Sequence, residues 1–118
     1  MSGSLRVLIV EDEGFIAMEA EDMLRGFGFD VRASATCVSE AMQCVEAGGF
    51  DVALLDVNLR GENVFPVADA LAERGIGFAF ATGYGREGIR PDLRDYPIVA
   101  KPYAPQELCE ALKVAAGC

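Results

Sequence analysis

The chain has 118 residues and a formal net charge of −9, from 19 acidic and 10 basic side chains. Its 52% hydrophobic and 25% charged residues are typical of one compact globular domain and exclude a disordered chain. The acidic balance argues against nucleic-acid binding, and the sequence shows neither a membrane-spanning apolar run nor a secretory signal, so we expect a cytoplasmic protein.

Short apolar runs of strand length alternate along the chain with stretches of helical periodicity. The runs VALL (52–55) and IGFAFA (76–81) hold almost only apolar or small residues, as strands covered on both faces do. The alternation predicts an α/β protein, a parallel sheet with helices on both faces. The predicted strands are 6–10, 31–35, 52–55, 76–81 and 98–100. The apolar stripes of the predicted helices are Ile16, Ala20, Met23, Leu24 and Phe27; Val38, Ala41, Met42 and Val45; Val64, Val67, Ala68 and Leu71; and Leu108, Ala111, Leu112 and Ala115.

Capping residues mark the ends of these helices. Gly28 and Gly75 stand where C-terminal caps belong, Asn63 is the expected N-cap of the third helix, and Pro105 falls in the first turn of the last. Between the fourth and fifth strands, GYGREGIRPDLRDYP (83–97) carries three glycines and two prolines. We therefore expect only a short or irregular fourth helix, within a mobile loop.

Polar side chains end four of the predicted strands. Ligands of an open parallel sheet bind outside the carboxyl ends of its strands, near the switch in strand order. Each polar residue alone is common there as a solvated or helix-capping group, but their joint placement at one edge indicates a site. They are Glu11, Asp12 and Glu13 after the first strand, Asp56 after the third, Thr82 after the fourth and Lys101 after the fifth.

Carboxylates that converge on one edge repel each other unless a cation lies between them. Magnesium prefers oxygen ligands and commonly takes one or two carboxylates, whereas the absence of histidine and of a C-x-x-C pair argues against zinc. We therefore expect Mg²⁺ to bind Asp12 and Asp56 directly and Glu11 mainly through water. The backbone carbonyl of Asn58 completes the predicted ligand set, and Lys101 balances Asp56 or contacts a phosphate oxygen.

A carboxylate beside a metal at a strand end suits attack on a phosphoryl donor, which would make Asp56 an acyl phosphate. The metal and Lys101 would neutralise the charge that develops on the transferred group. Thr82 could then donate its hydroxyl to a phosphoryl oxygen that exists only after transfer, and thus sense the modified state.

The motifs that carry these residues resemble those of the receiver domain of two-component response regulators, over nearly the whole chain. The motifs are IVEDE (9–13), LLDVNLRG (54–61), FATG (80–83) and VAKPY (99–103). The resemblance implies a CheY-like, flavodoxin-like doubly wound sheet of five strands in the order 2-1-3-4-5. It also implies that Asp56 is the phosphoacceptor, Glu11 and Asp12 the acidic metal pair, Thr82 the switch residue, and Lys101 the phosphoryl contact, with a cis bond before Pro102.

More narrowly, FATGYG and KPYAPQEL resemble the FAT GUY subgroup of receivers, which often occur as stand-alone proteins in phosphorelays. Ile98 stands where most receivers have a switch Tyr or Phe, so this position lacks the aromatic residue that usually couples to the threonine. We hypothesise that Tyr84, two residues after Thr82, takes over part of that role.

Two other classes of protein share single features with this sequence. Gly83, Gly85 and Gly88 have the spacing of a dinucleotide-binding turn, but they follow the fourth strand instead of the first and run into Pro91. A haloacid-dehalogenase-like (HAD-like) phosphatase also uses an aspartate nucleophile and magnesium, but it would need a second aspartate where Asn58 stands. Both are weaker alternatives.

We therefore expect residues 1–118 to form a single receiver domain that is not an enzyme, apart from catalysing its own phosphorylation and dephosphorylation. The expected partners are a sensor histidine kinase or histidine phosphotransferase and a downstream protein, with no nucleic acid and no membrane. The loop 83–95 and the face of the last helix should report the state of Asp56. The chain is either a stand-alone regulator or a receiver fragment of a hybrid histidine kinase or longer regulator, and the sequence leaves its oligomeric state open.

Overall fold

The computed structural model describes residues 4–117, in which strands and helices alternate. The strands are β1 (Arg6–Val10), β2 (Asp30–Ala35), β3 (Val52–Asp56), β4 (Asn58–Leu59), β5 (Glu62–Asn63), β6 (Gly77–Thr82) and β7 (Ile98–Ala100). The helices are α1 (Gly14–Gly26), α2 (Val38–Ala47), α3 (Phe65–Glu73) and α4 (Pro105–Ala115). Two short 3-10 helices, Gly85–Gly88 and Pro91–Leu93, stand between β6 and β7.

Five strands form one parallel sheet in the order β2-β1-β3-β6-β7. The remaining two, β4 and β5, pair as a small antiparallel hairpin directly after β3. With this hairpin set aside, the order is the predicted 2-1-3-4-5, so the doubly wound fold is confirmed. The strand order reverses between β1 and β3, which makes their carboxyl ends the expected place for a ligand.

Helices cover both faces of the sheet. Successive strand residues point to opposite sides and therefore pack against different helices. Alternate residues such as Ala53 and Leu55 face α2 and α3, whereas Val52 and Leu54 face α1 and α4. Every residue of β3 is buried, as predicted for a strand covered on both sides. The sheet is therefore packed on both faces, and its hydrogen-bonded ladder sets the positions of the strand ends relative to one another.

Two residues at the ends of helices depart from the predicted caps and apolar stripes. Gly28 and Gly75 have φ values of 90° and 71° and follow the ends of α1 and α3, as C-terminal caps do. Phe27, expected in the apolar stripe of α1, is exposed, and the helix ends one residue before it, at Gly26. Asn63 is not the N-cap: it belongs to β5, Val64 takes the cap position, and Asn63 Oδ1 accepts the N–H of Phe65 at 3.3 Å.

The connection between β6 and β7 contains no regular α-helix, as the three glycines and two prolines predicted. Each of its two 3-10 helices spans no more than four residues. Within residues 4–117, no helix combines the length and the apolar character needed to cross a bilayer.

Candidate functional site

The strand register brings the predicted site residues of β3, β6 and β7 side by side. Asp56 pairs with Ala81, and Thr82 pairs with Ala100. The ladder continues one residue further, since the N–H of Lys101 donates to the carbonyl oxygen of Thr82 at 3.1 Å. Backbone pairing alone therefore places Asp56, Thr82 and Lys101 at one edge, before any side-chain contact forms.

Lys101 joins two carboxylates from different strands. Its Nζ lies 3.0 Å from Glu11 Oε1 and 3.3 Å from Asp56 Oδ2. Glu11 is only 2% exposed and Asp56 is also buried, so these ion pairs are much less screened by water than surface pairs. The ammonium group therefore holds two carboxylates together at the carboxyl ends of the strands.

Burial shifts the pKa of Glu11, Lys101 and the neighbouring Tyr103. Burial raises the pKa of Glu11 to about 7, although the hydrogen bonds from Lys101 and from the N–H of Glu13 act in the opposite direction. For Lys101 burial lowers the pKa, but the hydrogen bond to Glu11 and the charge of Asp56 outweigh it, so that the pKa is raised. Burial, and then the charges of Glu11 and Asp56, also raise the pKa of Tyr103.

Three carboxylates lie close enough to share one cation. One oxygen each of Glu11, Asp12 and Asp56 lies within 4.8 Å of the other two. Asp12 is half-buried, and its Oδ2 accepts the backbone N–H of Arg60 at 3.1 Å. The donors are all carboxylate oxygens, the ligand type that suits magnesium and calcium and not softer metals.

Thr82 is the buried hydroxyl of the site. Its Oγ1 accepts the backbone N–H of Tyr84 at 3.0 Å, which leaves the hydroxyl proton free to donate elsewhere. The side chain of Tyr84 is 87% exposed, so it packs against neither face of the sheet. Ile98, which stands where most receivers have a switch Tyr or Phe, is half-buried on the α3 face.

These residues surround one open cleft with a volume of about 720 Å³. Glu11 lies behind its wall, held by Lys101, and the exposed Pro102 lies outside it. The Lys101–Pro102 peptide bond is cis. The predicted site residues that line the cleft are Asp12, Glu13, Asp56, Asn58, Thr82, Tyr84 and Lys101.

Sequence reasoning missed the hairpin β4–β5 as part of this cleft. Arg60 at its tip has a φ of 52°, and its backbone N–H fixes Asp12. The side-chain oxygen of Asn58 accepts the N–H of Gly61 at 3.0 Å and closes the turn. The Arg60–Gly61 pair was the available signal, because a glycine between two short polar segments is typical of a tight turn.

The fold and the site together define a class of protein. An acidic group, a buried hydroxyl and a lysine meet at the carboxyl edge of a flavodoxin-like sheet, which is the arrangement of a signalling receiver. The chain matches the family model of the response regulator receiver domain over residues 7–113. It therefore belongs to that family, whose members are signalling modules of two-component systems.

Individual relatives agree with this assignment. The solution structure of SdrG from Sphingomonas melonis Fr1 is 43% identical, with full coverage of both chains and a TM-score of 0.87. The receiver domain of PhyR from Erythrobacter litoralis is 28% identical, with 96% of this chain and 90% of that chain covered and a TM-score of 0.84. The transcriptional regulatory protein PdtaR of Mycobacterium tuberculosis is 28% identical over 93% of this chain and 56% of its own length. The chain spans about half the length of the curated relatives it matches.

Proposed function

We propose that this receiver accepts a phosphoryl group on Asp56 in a magnesium-dependent reaction and that the modification controls a protein partner. The observation that carries the proposal is the position of Asp56: it is buried at the end of β3, lines the cleft, and lies 3.3 Å from the ammonium group of Lys101. Among the carboxylates of the acidic group it combines access from the cleft with a cationic neighbour.

The donor set fits a magnesium ion, with Asp12 and Asp56 as direct ligands because both line the cleft. Glu11 already accepts hydrogen bonds from Lys101 and from the N–H of Glu13, so we assign it a contact through water. The backbone carbonyl of Asn58 remains the candidate from the hairpin. When bound, magnesium supplies positive charge that lowers the repulsion between these carboxylates and an incoming phosphoryl group.

In the proposed reaction, a carboxylate oxygen of Asp56 attacks the phosphorus atom of the donor. A new oxygen–phosphorus bond forms, the bond between phosphorus and the donor's leaving atom breaks, and the leaving group keeps that electron pair, as acetate does when the donor is acetyl phosphate. Lys101 stabilises the charge on the phosphoryl oxygens. The hydroxyl of Thr82 then donates to one of those oxygens, which makes it the residue that distinguishes the two states.

The direct test follows intact mass after incubation with acetyl phosphate, with and without magnesium. Wild-type protein should gain one phosphoryl group only when magnesium is present, and Asp56→Asn should gain none. Asp51→Asn is the matched control, because Asp51 is an aspartate directly before the same strand, outside the cleft, and it should react like wild type. An equal adduct on Asp56→Asn would refute the proposal.

The expected protein donor is a histidine kinase or a histidine phosphotransferase. In support, α1 provides Ile16 to the wall of the cleft and exposes two large apolar side chains, Phe15 and Met18, at 84% and 62%. Apolar side chains exposed beside a reactive site are typical of a protein contact. Phe15→Ser should therefore slow transfer from a protein donor and leave the reaction with acetyl phosphate unchanged; equal rates with both donors would exclude this contact. A cytoplasmic location belongs to the same proposal.

Tyr84 is proposed as the switch aromatic because it follows Thr82 closely and its N–H is bonded to the Thr82 hydroxyl. Tyr84→Ala should alter either the phosphorylation rate or the affinity for the downstream partner. If neither changes, Tyr84 has no part in the switch.

A further inference from the structure

The connection between β6 and β7 consists of two halves that differ in their packing. Every residue from 83 to 88, here called the front segment, is exposed. In the back segment, 89–96, Ile89 and Leu93 are buried in the core and the ring of Tyr96 stacks on Phe78 at 4.0 Å. The back segment is therefore anchored in the folded core, whereas the front segment is on the surface.

Arg90 ties the back segment to α3. Its guanidinium group donates to both carboxylate oxygens of Asp69, at 2.6 and 3.1 Å, and to both of Asp92, at 2.7 and 3.1 Å. A two-pronged contact of this kind fixes orientation as well as distance. Because Asp69 belongs to α3 and Asp92 to the connection itself, Arg90 clamps one element onto the other.

The clamp reaches the strand that carries Thr82. The guanidinium carbon of Arg90 lies 5.8 Å from the ring centre of Phe65, a cation–π arrangement. Phe65 packs edge-on against Phe80 with ring centres 6.2 Å apart, and Phe80 lies two residues before Thr82 in β6. The back segment, the start of α3 and the end of β6 thus form one continuous contact.

The front segment has few comparable restraints. The N–H of Tyr84 donates to Thr82 Oγ1 at 3.0 Å, and the carbonyl oxygen of Arg86 accepts the N–H of Ile89. A Cβ atom at Gly83 or Gly85 would have no neighbour within 4 Å. This segment can move without disturbing packed side chains, and its contact at the site is with the Thr82 hydroxyl.

We propose that Arg90 is a positioning residue that holds the back segment on α3, so that the change caused by phosphorylation is confined to the front segment. The holding contact stands independently of the reaction, whereas its consequence for signalling rests on the proposed function. In this view Thr82 passes the state of Asp56 to residues 83–88, and the clamp stops the change at residue 89. The proposal thereby narrows the earlier expectation, that the whole loop 83–95 reports the state of Asp56, to the front segment.

Amide hydrogen exchange followed by mass spectrometry tests both parts, on wild type and on Arg90→Gln. Without phosphodonor, exchange of the back segment should be about two- to fivefold faster in Arg90→Gln, the factor expected for a partly exposed ion pair. Arg32→Gln is the matched control: it removes the Arg32–Asp30 pair on the edge strand β2, at the opposite side of the sheet, and should leave 83–96 unchanged. Asp69→Asn should reproduce the effect of Arg90→Gln.

The same samples with acetyl phosphate and magnesium, checked by intact mass, test the confinement. Within the connection 83–96, only residues 83–88 should change their exchange in wild type, whereas in Arg90→Gln the change should extend into 89–96. Equal back-segment exchange in Arg90→Gln and wild type without phosphodonor would refute the clamp, whatever happens at Asp56. A change in wild type that covers both segments would refute the confinement. The lack of any phosphoryl adduct would count against the proposed function and against the confinement, which depends on it. In that case the comparison without phosphodonor would still decide whether Arg90 holds the back segment.

Discussion

The sheet has an amino edge, where its strands begin, and a carboxyl edge, where they end, and a carboxylate at each edge has its pKa shifted in the opposite direction. At the amino edge, Asp51 accepts hydrogen bonds from the backbone N–H and the guanidinium group of Arg6, and these bonds lower the pKa of Asp51. At the carboxyl edge, Glu11 lies buried beside Asp56, and burial raises the pKa of Glu11. The fold thus stabilises the carboxylate at one edge and disfavours it at the other. Glu11 lies where we propose a metal and a phosphoryl group to bind, which fits the general observation that groups with perturbed pKa values cluster at functional sites.

The largest effect is expected from removing Lys101, the one cation among residues 4–117 that pairs with the carboxylates of this edge. Lys101→Met leaves Glu11 and Asp56 buried without compensation, and breaking a buried pair in this way costs roughly 3–5 kcal/mol. Urea unfolding at pH 8 in a chelating buffer should show that loss, and at pH 5 the loss should be smaller because Glu11 can take up a proton. The control is Lys113→Met, since Lys113 is exposed on α4. Similar losses of stability for both lysine variants would contradict the idea that Lys101 compensates buried carboxylates at this edge.

The next effect is a pH dependence that belongs to Glu11. Its pKa is about 7 in the folded protein against an ordinary 4.5, so the folded state holds a proton that the unfolded chain releases between these values. The stability from this group is complete below pH 4.5 and is lost as pH rises through about 7, a change of about 3 kcal/mol. Relative to wild type, Glu11→Gln should gain that amount between pH 4.5 and 8 in chelating buffer, measured by urea unfolding. A constant difference between the two proteins would show that Glu11 has an ordinary pKa.

The two edges also differ in how closely the backbone packs. Gly77 opens β6 at the amino edge, and a Cβ atom there would overlap the carbonyl oxygen of Ala115 at the end of α4. Gly83 follows β6 at the carboxyl edge, and a Cβ atom there would meet nothing within 4 Å. Gly77→Ala should therefore lower the free energy of unfolding by about 2 kcal/mol, because α4 must shift.

Gly83→Ala, the same substitution at the other end of the same strand, should change stability by less than about 0.5 kcal/mol. Thermal and urea unfolding of the two variants side by side measure the difference. Equal losses would mean that the carboxyl edge is packed as closely as the amino edge.

The carboxyl edge was largely predictable from the sequence, and the reason is physical. Asp56, Thr82 and Lys101 each end or follow an apolar run, and the same run that makes a buried strand also fixes where its last residue lies. Parallel pairing then brings those ends together whatever the loops do. The proposed roles of these residues stay predictions, since the structure gives their positions and not their chemistry.

The amino edge and the clamp could not be predicted in this way. Arg6 and Asp51 are 45 residues apart, and Arg90 and Asp69 are 21 apart. A chain with 10 basic and 19 acidic residues allows many such pairs, and no periodicity selects among them. The predicted N-cap of α3 was also wrong. Asn63 has a side chain suited to an N-cap, but it pairs with Asn58 in the hairpin and so belongs to β5.

An effect smaller than those at Lys101, Glu11 and Gly77 concerns the paired charge at the amino edge, and it has the opposite pH dependence to that of Glu11. Because the folded pKa of Asp51 lies below its ordinary 3.8, the stability from its pairing with Arg6 is present above pH 3.8 and is lost as pH falls through the folded value. Both side chains keep about a third or more of their surface exposed, so Asp51→Asn should cost less than about 1 kcal/mol at pH 7. Urea unfolding between pH 3 and 6 should show this cost shrinking toward pH 3, with the exposed Asp95→Asn as control. A cost that instead grew as the pH fell would mean that the amino edge, like the carboxyl edge, disfavours its carboxylate, and the contrast between the two edges would be lost.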